Sequence, residues 1–129
     1  MNKKIKKVLL GSILGVSMIS SLAYAKTNTA SLYSGSFQAT AKLTTVHNYT
    51  TNNVADARID RTSKFDPNKG VWVRLWYNDM YNMGYDKGQR YASVHGEVWS
   101  CKSFNSYNYI VNWANTDNEY DKEIISQAP

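Results

Sequence analysis

Residues 70–78 constrain the fold of this chain more than any other segment, because their side chains alternate strictly between two kinds. The first set is Val71, Val73, Leu75 and Tyr77, and the second is Trp72, Arg74, Trp76 and Asn78. A period of two indicates a β-strand whose faces meet different surroundings. The first face is mainly aliphatic and suits a core, whereas the second places a guanidinium between two indoles.

Four further segments alternate in the same way and are separated by turn-forming residues. They are residues 35–45, 54–63, 89–101 and 107–113. The clearest turn precedes residue 71, where Pro67 fixes φ and Gly70 tolerates the left-handed region. No segment after residue 25 has the period of an amphipathic helix. The chain is therefore predicted to be a small antiparallel β-sandwich of about five to seven strands, with a partly open β-barrel as the alternative.

Three segments lack a clear period. Residues 26–34 are polar and are predicted to be a loose N-terminal lead. Residues 79–88 contain two glycines, two methionines and two tyrosines, which favours an aromatic loop. Residues 115–129 begin with an acidic tail, for which a short helix, a final edge strand and disorder all remain open.

The first 25 residues have the three parts of a cleaved secretory signal. A lysine-rich start precedes an apolar run over residues 8–22, which is too short to span a bilayer comfortably. Small residues then form a cleavage site that ends at Ala25. Residues 26–129 should therefore be a single secreted, extracellular domain, and no second apolar stretch of spanning length follows.

Removing this signal changes the charge of the protein. The full chain has 15 basic and 10 acidic residues, a net charge of +5, but four of the lysines and none of the acids precede residue 26. The remaining 11 basic and 10 acidic residues give +1. So small an excess excludes the basic surface of a nucleic-acid-binding domain and argues against a cationic membrane-disrupting peptide.

The polar and sulfur-containing side chains offer few sites for metals or cofactors. Cys101 is the single cysteine, so it is a reactive thiol, an intermolecular bridge or, as we favour, a small half-buried residue at a strand end. His47 and His95 do not supply a zinc ligand set. Asp56 and Asp60 fit a cation site or, as we favour, a solvated strand face. We expect no metal and no cofactor.

The predicted ligand-binding surface depends on strand pairing. If residues 70–78 and 89–101 form a hairpin around residues 79–88, their heavy outer faces become neighbours. The surface would consist of Trp72, Arg74, Trp76, Tyr91, His95, Glu97 and Trp99. Aromatic rings stack on sugars and cations, which predicts a module that binds a glycan or protein at the cell surface. The alternative is a second core layer, since large aromatics also fill cores.

Two other functions remain open. In general plan, with a lysine-rich signal, a modest mature chain and aromatic strands rich in Asn and Tyr, the chain resembles small secreted proteins of Gram-positive bacteria, including β-sandwich bacteriocins of the lactococcin type. This resemblance implies an antibacterial or toxin-like effector and assigns no functional position. A small hydrolase using His95 and Glu97 ranks last, because two residues on one strand are a weak catalytic signal and no nucleophile elbow is present. We therefore expect a non-catalytic binding module.

Overall fold

The computed structural model describes residues 24–129, which form eight strands. The predicted signal lies outside the described residues, except for Tyr24 and Ala25 at the start of the first strand. The described residues contain no helix with the length and apolarity to cross a membrane. The strands are β1 (Tyr24–Ser34), β2 (Phe37–His47), β3 (Asn53–Arg61), β4 (Lys69–Tyr77), β5 (Tyr81–Gly88), β6 (Tyr91–Val98), β7 (Phe104–Asn112) and β8 (Asn115–Gln127).

The eight strands form two four-stranded antiparallel sheets. Sheet A has the order β1-β2-β3-β6, and sheet B has the order β5-β4-β7-β8. The predicted all-β sandwich is confirmed, and the structure has more strands than the five to seven expected. The added strands come from segments without a clear sequence period.

The core lies between the inner faces of the two sheets. Val71, Val73 and Leu75 of β4 are fully buried there, as the alternation of residues 70–78 predicts. From sheet A the core receives the apolar sides of β2 and β3, including Leu43 and Ile59. The two aliphatic faces therefore meet, and burial of this apolar area drives the packing.

The side chains on the inner side of β6 are small because side chains from sheet B occupy the space next to them. A Cβ atom at Gly96 would lie 2.6 Å from Met83 Cε and 3.1 Å from Leu75 Cδ2. Neighbouring Ala92 is fully buried as well. The strand thus turns small residues inward and large ones outward, because β4 and β5 fill this part of the core.

The prediction of a loop at residues 79–88 is wrong, since residues 81–88 form β5 and pair with β4. The pairing contains a register shift between Leu75 and Trp76. Gly84, which lies opposite Leu75, has a φ of 136°, a value that side chains other than glycine rarely adopt. The irregularity interrupts the alternation from which a strand is predicted.

The first and last strands of the described residues are edge strands that lie beside each other. The segment predicted to be a loose N-terminal lead instead forms β1. The acidic tail, for which a helix, an edge strand and disorder were open, forms the edge strand β8. The backbone N–H of Tyr33 donates to Asp121 Oδ2 at 2.8 Å, and Gln127 Nε2 donates to the carbonyl oxygen of Lys26 at 3.2 Å. Charged residues along β8 also discourage pairing with other chains.

Candidate functional site

The predicted site residues lie on two opposite faces of the sandwich. Trp72, Arg74 and Trp76 are on the outer face of sheet B. Tyr91, His95 and Glu97 are on the outer face of sheet A, and Trp99 follows β6 with 62% of its surface exposed. The prediction of one continuous surface is therefore wrong. The reason is that β4 pairs with β5 and β7, whereas β6 pairs with β3.

Strand pairing arranges the outer face of sheet B in rows that cross β5, β4, β7 and β8. The rows are Lys87–Trp72–Tyr109–Lys122, Tyr85–Arg74–Tyr107–Ile124 and Asn82–Trp76–Asn105–Ser126. These residues together are called the aromatic face below. The structure thus gives Trp72 and Trp76 tyrosine neighbours that the sequence interpretation did not include.

Cation–π contacts hold the centre of the aromatic face. The guanidinium carbon of Arg74 lies 5.8 Å from the ring of Trp72 and 5.3 Å from the ring of Trp76. An Arg over an indole face is attracted by the ring quadrupole. Because two indoles attract it from the same strand, Arg74 has a defined position between them.

Tyrosine rings support each indole from the neighbouring strands. The centroid of the Trp72 ring lies 5.4 Å from that of Tyr109 and 6.1 Å from that of Tyr85. The ring of Trp76 lies 6.3 Å from that of Tyr107. Such tilted and edge-on pairs are favourable aromatic geometries, so the indoles are oriented by their neighbours.

The aromatic face is an outer surface and not a second core layer. Trp72, Arg74 and Trp76 are half-buried, because each packs against its neighbours along the sheet. Tyr85 at one edge is 63% exposed, and Ile124 near the other is 48% exposed. The alternative in which these residues fill a core is therefore not what the fold shows.

The turn between β4 and β5 fixes one end of the aromatic face. Asn78 and Asp79 have positive φ values of 53° and 56°, a region that Asn and Asp tolerate better than most residues. The backbone N–H of Asp79 donates to Asn105 Oδ1 at 2.7 Å. The Tyr107 hydroxyl donates to Asp79 Oδ1, and this hydrogen bond raises the pKa of Tyr107. These side chains position the turn and the phenol beside Trp76.

On the outer face of sheet A, His95 lies between two carboxylates. Its Nδ1 is 2.7 Å from Asp56 Oδ1, and its Nε2 is 2.9 Å from Glu97 Oε2. The hydrogen bonds to Glu97 and then Asp56 raise the pKa of His95, and the same contact lowers the pKa of Glu97. Because both ring nitrogens already have partners, His95 has no free nitrogen with which to accept a substrate proton.

The remaining predicted residues of sheet A also contact one another. Arg58 donates to both carboxylate oxygens of Asp60, at 2.8 and 2.9 Å, and lies 4.3 Å above the ring of Tyr91. The side chains of Asp56, Arg58 and Asp60 thus form the solvated strand face that we favoured from the sequence. Among residues 24–129, no group of three His, Cys, Asp or Glu side chains is placed to hold a metal ion.

Cys101 lies after β6, half-buried and packed against the core. Burial raises the pKa of its thiol. Since the thiolate is the reactive form, burial lowers the reactivity of Cys101 at neutral pH. This environment agrees with a small half-buried residue at a strand end.

No protein-family model and no curated protein matches this chain. Among solved structures, it is similar to a β-glucuronidase from Ruminococcus gnavus in complex with D-glucuronic acid, with 11% identity over 80% of this chain and a TM-score of 0.40. The same enzyme with D-glucaro 1,5-lactone gives 11% identity over 82% of this chain and a TM-score of 0.39. In both cases the match covers 16% of the enzyme.

The chain is also similar to the variable (V) domain of the Streptococcus agalactiae AgI/II polypeptide BspA. The identity is 12%, the match covers 80% of this chain and 74% of that domain, and the TM-score is 0.34. Likenesses of this degree carry no argument about what this chain binds.

Proposed function

We propose that the chain is a secreted, non-catalytic binding module that takes a cell-surface glycan on its aromatic face. The single observation that carries the proposal is the pair of half-buried indoles, Trp72 and Trp76, on the outside of one sheet with Arg74 held between them. Secretion rests on the predicted signal over residues 1–25.

The geometry suits an extended ligand. Side chains two apart on a strand point to the same face and lie roughly 6.6 Å apart. The Cα atoms of Trp72 and Trp76 are therefore roughly 13 Å apart along β4, and their rings are closer, because both lie within 5.8 Å of the Arg74 guanidinium carbon. Sugar rings stack on indole faces, because both surfaces are flat and partly apolar. A chain of several sugars can thus contact both indoles, whereas a monosaccharide contacts one.

The hydrolase alternative has less support. A general base must accept a proton within hydrogen-bonding distance of its substrate. Asp56 and Glu97 occupy both nitrogens of His95, and this cluster lies on the opposite side of the sandwich from the indoles. The antibacterial alternative makes a separate prediction, which is growth inhibition of neighbouring bacteria by the purified protein.

The proposed function is tested by binding of the purified protein to a panel of cell-wall and capsular glycans. Trp72→Ala and Trp76→Ala should each weaken binding to a retained glycan by about tenfold or more, as expected for the loss of an aromatic anchor. The matched control is Trp99→Ala, which removes an exposed indole outside the aromatic face. Equal losses in all three variants, or retention of no glycan by the wild type, would contradict the proposal.

A further inference from the structure

The charged residues of the aromatic face are all basic. Lys87 and Lys122 stand at the two ends of the row that contains Trp72, and Arg74 lies in the next row. The rows themselves contain no carboxylate. Two acidic side chains border the face: Asp79 accepts a hydrogen bond from Tyr107, and Glu119 is close enough to contribute to the raised pKa of Tyr109.

Arg74 has no carboxylate partner in the described part of the chain. The ion pairs within residues 24–129 join Arg58 to Asp60 and His95 to Asp56 and Glu97. The guanidinium of Arg74 is instead held between two indoles, hydrogen-bonds with the neutral side chain of Tyr109 and is half-buried. A partly desolvated cation without a counter-ion gains strongly from an incoming anion. Its planar fork also matches the oxygens of a carboxylate or phosphate.

We infer that the glycan bound by this face is anionic, with a carboxylate or phosphate group on its sugar rings. The inference rests on the proposed function and adds the substrate class. One sugar ring stacks on an indole while its oxyanion accepts hydrogen bonds from Arg74. Lys87 and Lys122 are three strand spacings apart, roughly 14 Å, so their charges favour a polyanionic chain over a single anion.

The experiment compares three probes by isothermal titration calorimetry of the purified protein. They are an oligogalacturonate, the same oligosaccharide with its carboxylates methyl-esterified, and a phosphomannan. The first two share sugar rings and differ in charge. The phosphomannan separates phosphate recognition from carboxylate recognition. We expect at least one charged probe to bind about tenfold more tightly than the ester, as charge-assisted hydrogen bonds predict, and this affinity to fall as salt is added.

Variants assign the preference to Arg74. Arg74→Gln should remove most of the difference in affinity between the charged probe and the ester, so that the variant binds the two about equally. Arg74→Lys keeps the charge but loses the planar fork, so it should give an intermediate preference. The control is Arg90→Gln, which removes the same group from an exposed residue outside the aromatic face. Thermal unfolding of each variant confirms that it is folded.

The outcomes separate this inference from the proposed function. Equal binding of ester and charged probes would overturn the inference and leave glycan binding standing. An anionic preference that survives in Arg74→Gln would also overturn it. Failure of all three probes, with a neutral glycan retained from the panel, would again reject the inference alone. Failure of every glycan would reject both proposals.

Discussion

The two outer faces of the sandwich are built from the same kind of alternating strand but treat charge in opposite ways. On sheet A, Asp56, Asp60 and Glu97 each contact a basic side chain of the same face. On sheet B, the basic residues of the aromatic face make no ion pair with another described residue, and Arg74 contacts two indole rings and hydrogen-bonds with Tyr109. The acidic groups of the first face are paired by its own residues, whereas we propose that an external anion pairs with the second.

The difference shows why alternation alone does not identify a binding surface. Exposed ion pairs such as Arg58–Asp60 contribute little to stability, and they leave few groups free for a ligand. Rings held by other rings lose little freedom on binding, and low ordering cost favours affinity. The aromatic face combines such rings with a cation that has no carboxylate partner.

The largest expected effect is on the free energy of unfolding, and it distinguishes substitutions on the inner side of β4 from those on its outer side. Leu75→Ala should lower the free energy of unfolding by about 2–5 kcal/mol, because it leaves a cavity in the core. Arg74→Gln should lower it by about 1 kcal/mol, the scale of a partly exposed cation–π contact. Urea unfolding followed by circular dichroism measures both. A loss at Arg74 as large as that at Leu75 would show that the aromatic face is a packed structural layer and would break the comparison.

Much of the core was predictable from local pattern. The period of two in residues 70–78 predicts that the aliphatic face of β4 is buried. The same period in residues 89–101 predicts that β6 turns its small side chains inward. Each of these strands turns one face to the core and the other to the outside, so its sequence reflects two distinct environments. The glycines of β5 and the charged residues of β8 do not produce this period, because register shifts interrupt the pairing of both strands and few of their side chains are buried.

The composition of the site was not predictable, because it depends on which strands are neighbours. Trp72 lies beside Tyr109 only because β4 pairs with β7, and it is separated from His95 because β6 crosses to sheet A. Such pairings join segments distant in sequence, and the period of two is the same whichever partner is chosen. The alternation therefore placed Trp72, Arg74 and Trp76 on one face, but it left their neighbours open.

A smaller effect tests the local charge of the aromatic face. In a Trp99→Phe/Trp113→Phe background the remaining fluorescence comes from Trp72 and Trp76, since the chain has 4 tryptophans. Iodide is an anionic quencher, and acrylamide is a neutral one. The ratio of iodide quenching to acrylamide quenching should therefore be higher in this background than in the same background with Lys87→Gln/Lys122→Gln. We expect about a twofold fall in the ratio at low ionic strength, where surface potentials are least screened.

The matched control for this charge removal is Lys42→Gln/Lys64→Gln, which changes the net charge equally at exposed residues outside the aromatic face. The ratio of iodide to acrylamide quenching should stay close to that of the parent. An equal fall in both double variants would mean that overall charge, and not the arrangement on sheet B, attracts the anion.

The smallest effect concerns the paired charges of sheet A and depends on pH. Folding raises the pKa of His95 above its ordinary value of 6.5, so its stabilising contribution is complete below that value and is lost as the pH rises through the raised pKa. Folding lowers the pKa of Glu97 below its ordinary 4.5, so its contribution is present above that value and is lost as the pH falls through the lowered pKa. The pair should therefore contribute most between these ordinary values.

This pH dependence is checked by comparing the melting temperatures of wild type and His95→Gln at about pH 5.5 and about pH 9. The wild type should have a small advantage at the lower pH, because these side chains are half-exposed and solvent screens their attraction. The advantage should vanish at the higher pH, where the imidazole is neutral. Lys122→Gln on the aromatic face should show no such change, because no described group titrating in this range pairs with Lys122. If the wild type still melts at a higher temperature than His95→Gln at high pH, His95 acts through packing. The contrast between the paired charges of sheet A and the unpaired Arg74 of sheet B would then rest on Arg58 and Asp60 alone.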